Sequence, residues 1–596
     1  MTQPFKTSIL GLNWHQKTFD ERLSVAIHQR FQTSEVLSNL LSAREISLDE
    51  IENFLDPKIK TALPNPFELS DMDKAVDHVI AAIKENKKIT IFADYDVDGA
   101  TSAATLKRFF REAGIDVGIY IPDRVLEGYG PNSEALLNLK RTGTDLVITL
   151  DCGTVAFKPL EDAAAVGLDI IVIDHHLGVL EKPQSIAVIN PYLLDEKFPH
   201  KNLCAAGVSF LFAVAVNKKM REAGFYAAKK EPNLLNLLDL VALGTVCDVM
   251  SLTGLNRAFV AAGLKVLKQR KNLGLREICD LAGLDEEPSA YHLGFVIGPR
   301  INAGGRVGKS DLGARILSSE DEEEVKEIAL QLENFNKQRK DLEVQVLETA
   351  VKALESGVGG FKTTDPIIFA VSKNWHQGVI GIVASRLKDL YNKPVAVIAI
   401  DDSGKKGKAS CRSISGIDFG GEILKARFAD LLIEGGGHAM AGGFSVVLEK
   451  IPELHQFFCQ NLGEKVAEIC AQKRAEFDIA IDLAQVNIEL LQELANLEPF
   501  GVGNMRPKFI LRNVQKMRCG LIGKTAEHIS GIFSAKNALG FSGQIQAVAF
   551  RSAGTALGEI LLDPKHTSPM NLVGTLNINS WMGVEKVQMI IEDVII

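Results

Sequence analysis

From Lys87 to about residue 260, apolar strand-like runs alternate with amphipathic helical stretches. That alternation predicts a parallel sheet with crossover helices, because parallel neighbours need a helix-length connection between them. The runs are "KKITIFADYD", "VGIYIPD", "TDLVITLD" and "LDIIVIDHH", and Thr101 to Ala113 is one crossover. Three of the runs deliver polar groups at their carboxyl ends: Asp94, then Asp151, then Asp174 with His175 and His176. Asp96 and Asp98 follow Asp94 at two-residue spacing, just before Gly99 and a helix start. The helical run "LLNLLDLVALGTVCDVM" adds Asp248.

In an open parallel sheet the carboxyl edge is where ligands bind. Crowded carboxylates raise one another's pKa unless a cation neutralises them. A single D-x-D after a strand is more often turn chemistry or a helix cap than a ligand, and an isolated His pair says little. Three strand ends in one α/β unit supplying such groups point to metal. Aspartate and histidine without cysteine suit Mn²⁺ or Mg²⁺ more than structural zinc. The donors suffice for two ions sharing a bridging aspartate, and a pair about 3.5–4 Å apart is the usual arrangement for hydrolysing phosphoesters.

At 596 residues the chain exceeds one core, and its length suggests three or four domains. No apolar run approaches a membrane span; the longest obvious one is Phe210 to Val216. The start, "MTQPFKTSILGLNWHQKTF", lacks the pattern of a secretory signal, so a cytoplasmic location is expected. The eight cysteines are scattered without a C-x-x-C pair, which fits reduced thiols and argues against a zinc-thiolate site. A net charge of -9 excludes a whole-protein basic field, so contact with nucleic acid must come from local patches or metals.

Between Ala314 and Ser356 there is neither Gly nor Pro, and Val325, Ile328, Leu332, Phe335, Leu342, Val346, Ala350 and Ala353 keep one helical face apolar. Ser319 with Glu322 reads as a capping box, and "SGVGG" is the stop. The pattern predicts one long strut joining domains, with two shorter core helices as the alternative. A second α/β pattern follows from about 361 to 450, then a helical bridge around 452–474, then short β-like runs to Ile596.

The segments "DYDVDG", "LDCGT", "DHH" and "GTVCDVMSL" resemble the four motifs of the DHH phosphoesterase superfamily. "PDRVLEGYG", "GPRINAGGRVG", "NWHQGVIGIVASRL", "GKASCRSISG", "EGGGHAMAGGF" and "LEPFGVGNMRPKF" resemble the bacterial RecJ single-stranded-DNA exonucleases, from about residue 40 onward. The resemblance implies a 5′-to-3′ exonuclease using two Mn²⁺ or Mg²⁺ ions, releasing 5′-mononucleotides in DNA repair and recombination. It implies Asp94 and Asp96 as ligands, Asp98 as a ligand or a support behind one, Asp151 as the bridge, and His175 and Asp248 as further ligands. His176 would face the scissile phosphate. Thr90 stands where related superfamily members often carry a His, which leaves the first ion's ligand set open.

Beside this, Ser410 and Arg412 alternate onto one strand face, and Arg suits bidentate phosphate contact. "GGGHAMAGG" offers backbone N–H groups at Gly437 and its neighbours to wrap an anion, with His438 as a donor. By resemblance these segments face the catalytic domain and receive the 5′ end. Arg124 is a candidate for holding a phosphate and Tyr129 for stacking on a base, with Arg300 and Arg306 as further phosphate candidates. For each of these the plain alternative is a turn glycine or a solvated side chain.

The expected architecture is α/β: an N-terminal extension over 1–45, a parallel-sheet DHH catalytic domain over 46–313 and a connecting long helix over 314–356. A DHH-associated substrate-binding domain over 357–455 and an OB-fold-like β-barrel over 456–596 complete it. The resemblance implies single-stranded DNA as substrate, single-stranded-DNA-binding protein and a helicase as partners, no membrane, and a monomer. A DHH phosphodiesterase for short oligonucleotides or cyclic dinucleotides is the alternative enzyme. A metal-free DNA-binding scaffold is the non-enzymatic one, and intact motif aspartates and histidines weigh against it.

Overall fold

The computed structural model describes residues 7–124, 127–536, 542–581 and 584–596. It divides into two units, Ile59–Ala471 and Met1–Lys58 with Gln472–Ile596.

The first unit opens with a five-stranded parallel sheet in the order Val117–Tyr120, Ile89–Ala93, Leu146–Leu150, Asp169–Ile173, Ala187–Ile189. Alternate residues of each strand enter different cores. Ile91, Ile148 and Ile171 pack with the Val97–Glu112 and Ala205–Glu222 helices, whereas Phe92, Val147 and Ile170 pack with Leu136 and Leu160. Burial on both faces explains why the strands read as continuous apolar runs. The three-residue Ala187–Ile189 strand was not anticipated, being too short to stand out in sequence.

The expected single helix from 314 is two helices, Leu312–Ser318 and Glu322–Ser356. Ser319 turns extended, and Asp321, not Ser319, caps the long helix by accepting from the Glu323 and Glu324 amides. Ser319 instead donates to the Glu324 carboxylate, so the capping box expected from Ser319 and Glu322 does not form. Val325, Ile328 and Leu332 enter the core of the parallel-sheet half, while Val346, Ala350 and Leu354 enter a core with strands Ile368–Ser372 and Val395–Ile400. Those strands belong to a mixed five-stranded sheet in the order 434–438, 441–447, 406–412, 395–400, 368–372. The expected bridge is the Ile451–Gln472 helix.

In the second unit, Ile479–Ile481, Phe509–Ile522, His528–Lys536, Ser542–Ala549, Val584–Ile595 and Met570–Trp581 form a six-stranded sheet. Pairing of Phe509–Ile522 with Met570–Trp581 closes it into a barrel, which removes the open edges. The N-terminal extension folds onto this barrel. Strand Asn13–Gln16 pairs with Arg474–Phe477, and the Trp14 indole donates to buried Asp593 at 2.9 Å.

Candidate active site

Register brings the strand ends together. Ala93 pairs with Leu150, and Leu150 with Ile173, so Asp94, Asp151 and Asp174 stand one residue past the same level of three adjacent strands. Their amides continue the ladder onto Leu150, Ile173 and Ile189 carbonyls at 3.2, 3.0 and 3.1 Å. The strand order reverses between Ile89–Ala93 and Leu146–Leu150, and at that switch point a crevice opens beyond the strand ends. Asp151 sits there with φ 62°, a left-handed backbone that aspartate tolerates at a cost of about 1 kcal/mol.

The chain after Asp94 turns at once into a helix. Asp96 caps it, accepting from the Asp98 and Gly99 amides at 2.8 and 3.1 Å. Gly99 is needed because a Cβ there would lie 2.3 Å from the Asp94 carbonyl oxygen. Asp98 is buried, and its two oxygens accept from the Ala205 and Ala206 amides at 2.6 and 2.9 Å, at the positive end of the Ala205–Glu222 helix. Asp248 terminates the buried Leu238–Cys247 helix. His175 Nε2 lies 3.2 Å from Asp151 Oδ1, 3.5 Å from Asp248 Oδ2 and 3.7 Å from Asp98 Oδ2.

These donors form three groups, each with ligand atoms within 4.8 Å of one another: Asp94, Asp96 and Asp151; Asp98, His175 and Asp248; Asp151, His175 and His176. Asp151 belongs to two of them, as a bridging carboxylate must. Among the described residues, Asp94 Oδ1, Asp151 Oδ1 and Asp248 Oδ2 are buried oxygens without a hydrogen-bond donor. Burial and the neighbouring Asp96 charge push Asp94 well above the usual carboxylate range. Asp151 is pushed up likewise, by burial and then Asp96, Asp98 and Asp94, and Asp98 is raised chiefly by burial. Asp248 is pushed up to about 8 by burial and by Asp98 and Asp96. Burial lowers His175 and keeps its imidazole available as a neutral ligand. Orphaned carboxylate oxygens beside neutral imidazole fit two divalent cations of the Mn²⁺ or Mg²⁺ kind.

A stability prediction follows from the sign of these shifts. Carboxyls whose folded pKa is raised bind more protons folded than unfolded, so the metal-free protein loses stability as pH rises through that interval. Bound divalent ions need the ionised form and reverse the penalty. The rise in Tm on adding Mn²⁺ should therefore be larger near pH 8 than near pH 6, by several degrees for about 1–3 kcal/mol. An equal rise at both pH values in a thermal melt would contradict this electrostatic picture.

Asp174, which follows the Asp169–Ile173 strand, stands outside all three donor groups. Its carboxylate accepts from the Thr154, His175 and His176 amides and lies 2.8 Å from His176 Nδ1. Burial alone would raise it, but the His176 hydrogen bond and charge hold it below the usual range. Burial would depress His176, but Asp174, with Asp248 and Asp96, lifts it to about 9. Asp174 thus fixes the His176 ring rather than facing the crevice. D174N should retain metal affinity and lower kcat about 10–100-fold, as loss of an orienting carboxylate does. Equal kcat in the variant, measured at saturating metal, would show that His176 needs no such support.

Tyr129 is half-exposed, and its hydroxyl donates to the Asp151 carbonyl at 3.0 Å and reaches His176 Nδ1 at 3.2 Å. This places Tyr129 beside the metal-ligand cluster by a contact the sequence did not reveal. Arg124 stacks its guanidinium over Tyr95 at 4.8 Å. Arg306 is drawn across the unit to donate to the Gly378 carbonyl at 3.0 Å. Burial, then the charges of Arg124, Arg339 and Arg412, lower Arg306 to about 10. Arg412 donates to Ser385 Oγ at 3.1 Å, to Ser410 Oγ at 3.4 Å and to the Cys411 carbonyl at 2.8 Å. Among the described residues neither Arg306 nor Arg412 forms an ion pair with a carboxylate. Asp96 alone opposes the mutual repulsion at Arg306, and guanidiniums gathered without direct ion pairs favour an anion between them.

Arg300 is not free for phosphate, because its guanidinium is held by Glu333 at 2.6 Å and the Val296 carbonyl at 2.7 Å. The "GGGHAMAGG" run forms a regular antiparallel hairpin, Glu434–His438 with Ala441–Val447, and Glu434–His438 is the edge strand of its sheet. Gly437, at φ 150°, is required there because a Cβ would lie 2.4 Å from the Gly442 Cα. His438 is exposed and pairs with Ala441, which pairs with Arg412, so it stands on the same cross-strand row as Arg412.

A doubly wound sheet that holds unneutralised carboxylates and a His pair at its switch point defines a DHH-type metal-dependent hydrolase. Residues 88–245 match the model of the DHH family, N-terminal domain, residues 364–464 that of the DHHA1 domain, and residues 477–593 that of the RecJ OB domain. The single-stranded-DNA-specific exonuclease RecJ of Haemophilus influenzae is 33% identical over 83% of this chain and 86% of that protein. The Bacillus subtilis protein of the same name is 30% identical over 98% of this chain and 70% of its own length. The crystal structure of RecJ in complex with Mn²⁺ from Thermus thermophilus superposes with a TM-score of 0.78 at 25% identity, covering 98% of this chain and 79% of that one. The chain belongs to the RecJ family of single-stranded-DNA-specific exonucleases.

Proposed function

We propose that this protein hydrolyses single-stranded DNA from its 5′ end, releasing 5′-mononucleotides with two divalent ions bound by Asp94, Asp96, Asp151, His175 and Asp248. The observation that carries the reading is one body holding both halves of the chemistry. Orphaned carboxylate oxygens lie at the sheet edge, and the unpaired guanidiniums of Arg306 and Arg412 stand in the same unit. Bound ions would activate a water and stabilise charge on the phosphoryl oxygens.

The chain's own residues supply the rest. Asp98 braces the Asp248 and His175 side of the centre from the Ala205–Glu222 helix terminus. His176, charged and oriented by Asp174, faces the scissile phosphate and donates to it. Ser410 and Arg412 take the terminal 5′-phosphate, while Arg124 and Arg306 hold the backbone. Arg412 clamped at one fixed site sets both polarity and the one-nucleotide step.

The reading is tested by giving the full chain with Mn²⁺ a long single strand, a blunt duplex and a dinucleotide. Rapid mononucleotide release from the single strand alone is expected. Preference for the dinucleotide would favour an oligonucleotide phosphodiesterase instead.

A further inference from the structure

The long Glu322–Ser356 helix was expected to carry a continuous apolar stripe. Between its two apolar ends, however, its buried residues are Asn336, Arg339 and Glu343, exposed by only 1%, 8% and 9%. They occupy the stretch between Leu332, in the core of the parallel-sheet half, and Val346, in the core of the second sheet. Arg339 Nη1 donates to Glu343 Oε2 at 3.0 Å and Nη2 to Asn336 Oδ1 at 3.1 Å, but its Nε is buried without a partner. Glu343 is shared, because its other oxygen accepts from Arg386 Nε at 3.1 Å. Two guanidiniums thus divide one carboxylate. The surplus lies within electrostatic reach of Arg306, which also feels Arg124 and Arg412.

A buried charge is costly unless it is paired and fully hydrogen-bonded. Here a guanidinium with a spare buried N–H shares its paired carboxylate, near Arg306 and Arg412, which form no direct ion pair among the described residues. We infer that Arg339 is a ligand for a phosphate of the substrate strand, released from Glu343 when the strand enters while Arg386 keeps Glu343 neutralised. The inference rests on the single-strand reading above. It adds a phosphate contact supplied by the helix that joins the two sheets.

The test measures binding of a 5′-phosphorylated oligothymidylate across a KCl series, in the full chain carrying D151N so that the strand is not consumed. Each phosphate contact on a single strand contributes about 0.7 to the slope of log K against log salt. R339Q should lower the slope by about 0.7 and weaken binding about 5–20-fold, and R339K should restore most of the slope. E343Q should bind at least as tightly as the parent, because Arg339 no longer competes for a counter-ion. If R339Q fails to fold, R339M/E343M removes the pair without stranding either charge and should show the same loss of slope.

An unchanged slope in the folded Arg339 variants would overturn the inference. So would an E343Q defect equal to that of R339Q, which would make the pair a scaffold. R412Q serves as the control. If the parent binds the strand with no salt dependence, and R412Q changes nothing, the single-strand reading fails instead.

Discussion

D151N is expected to abolish hydrolysis, lowering kcat by at least about a thousandfold, or roughly 4 kcal/mol of barrier. Asp151 is the one carboxylate common to the Asp94–Asp96 group and the His175–His176 group. It is buried, its Oδ1 has no donor among the described residues, and burial with four neighbouring aspartates raises it strongly. An amide there keeps the size and the left-handed backbone but removes the charge that two cations would share. The fold should survive, because the neutral side chain relieves repulsion in the metal-free state. Bound Mn²⁺, counted after dialysis, should fall together with activity. A folded variant that still binds two ions and turns over within tenfold of the parent would remove Asp151 from the bridging role.

R412Q is expected to erase the preference for phosphorylated ends. Arg412 is half-buried, which lowers its pKa, and it is aimed by Ser385 and Ser410 with no carboxylate paired to it among the described residues. Hydrogen bonds to a charged group contribute about 1.5–3 kcal/mol. The ratio of kcat/KM for 5′-phosphorylated over 5′-hydroxyl strands should therefore fall about 10–100-fold. Turnover at saturating substrate should change much less, because the proposed reaction takes place at the acidic sheet edge rather than at Arg412. An equal loss for both ends would mean that Arg412 serves the chemistry or the fold rather than the end.

The ligand cluster was legible because a parallel sheet converts sequence into position. An apolar run followed by Asp states both where the strand ends and which edge the carboxylate faces. Asp94, Asp151, His175 and His176, read that way, fall into overlapping groups with Asp96 and Asp98 from the turn after the first strand and Asp248 from a helix end. What escaped the sequence depends on contacts between distant residues. Nothing local to Arg300 announces Glu333, and nothing in residues 8–17 announces Asp593 or the Arg474–Phe477 strand. The hairpin at 434–447 was hidden by its own glycines, which weaken strand propensity yet permit the close approach of Gly437 to Gly442. The short Leu312–Ser318 helix was not told apart from the long one because neither Gly nor Pro marks its stop, and the cap read at Ser319 falls two residues later, on Asp321. In the long helix, periodicity found the apolar ends but passed over Asn336, Arg339 and Glu343, since a hydrophobic pattern cannot register a buried polar face.

The proposed enzyme is a metal-dependent exonuclease that enters single-stranded DNA at its 5′ end. The most direct measurement labels one long single strand at the 5′ end, then at the 3′ end, and incubates each with Mn²⁺, Mg²⁺ or EDTA. Immediate mononucleotide release from the 5′ label with either ion, late release from the 3′ label and none with EDTA is the predicted result. Early release from the 3′ label, or release that persists in EDTA, would contradict it.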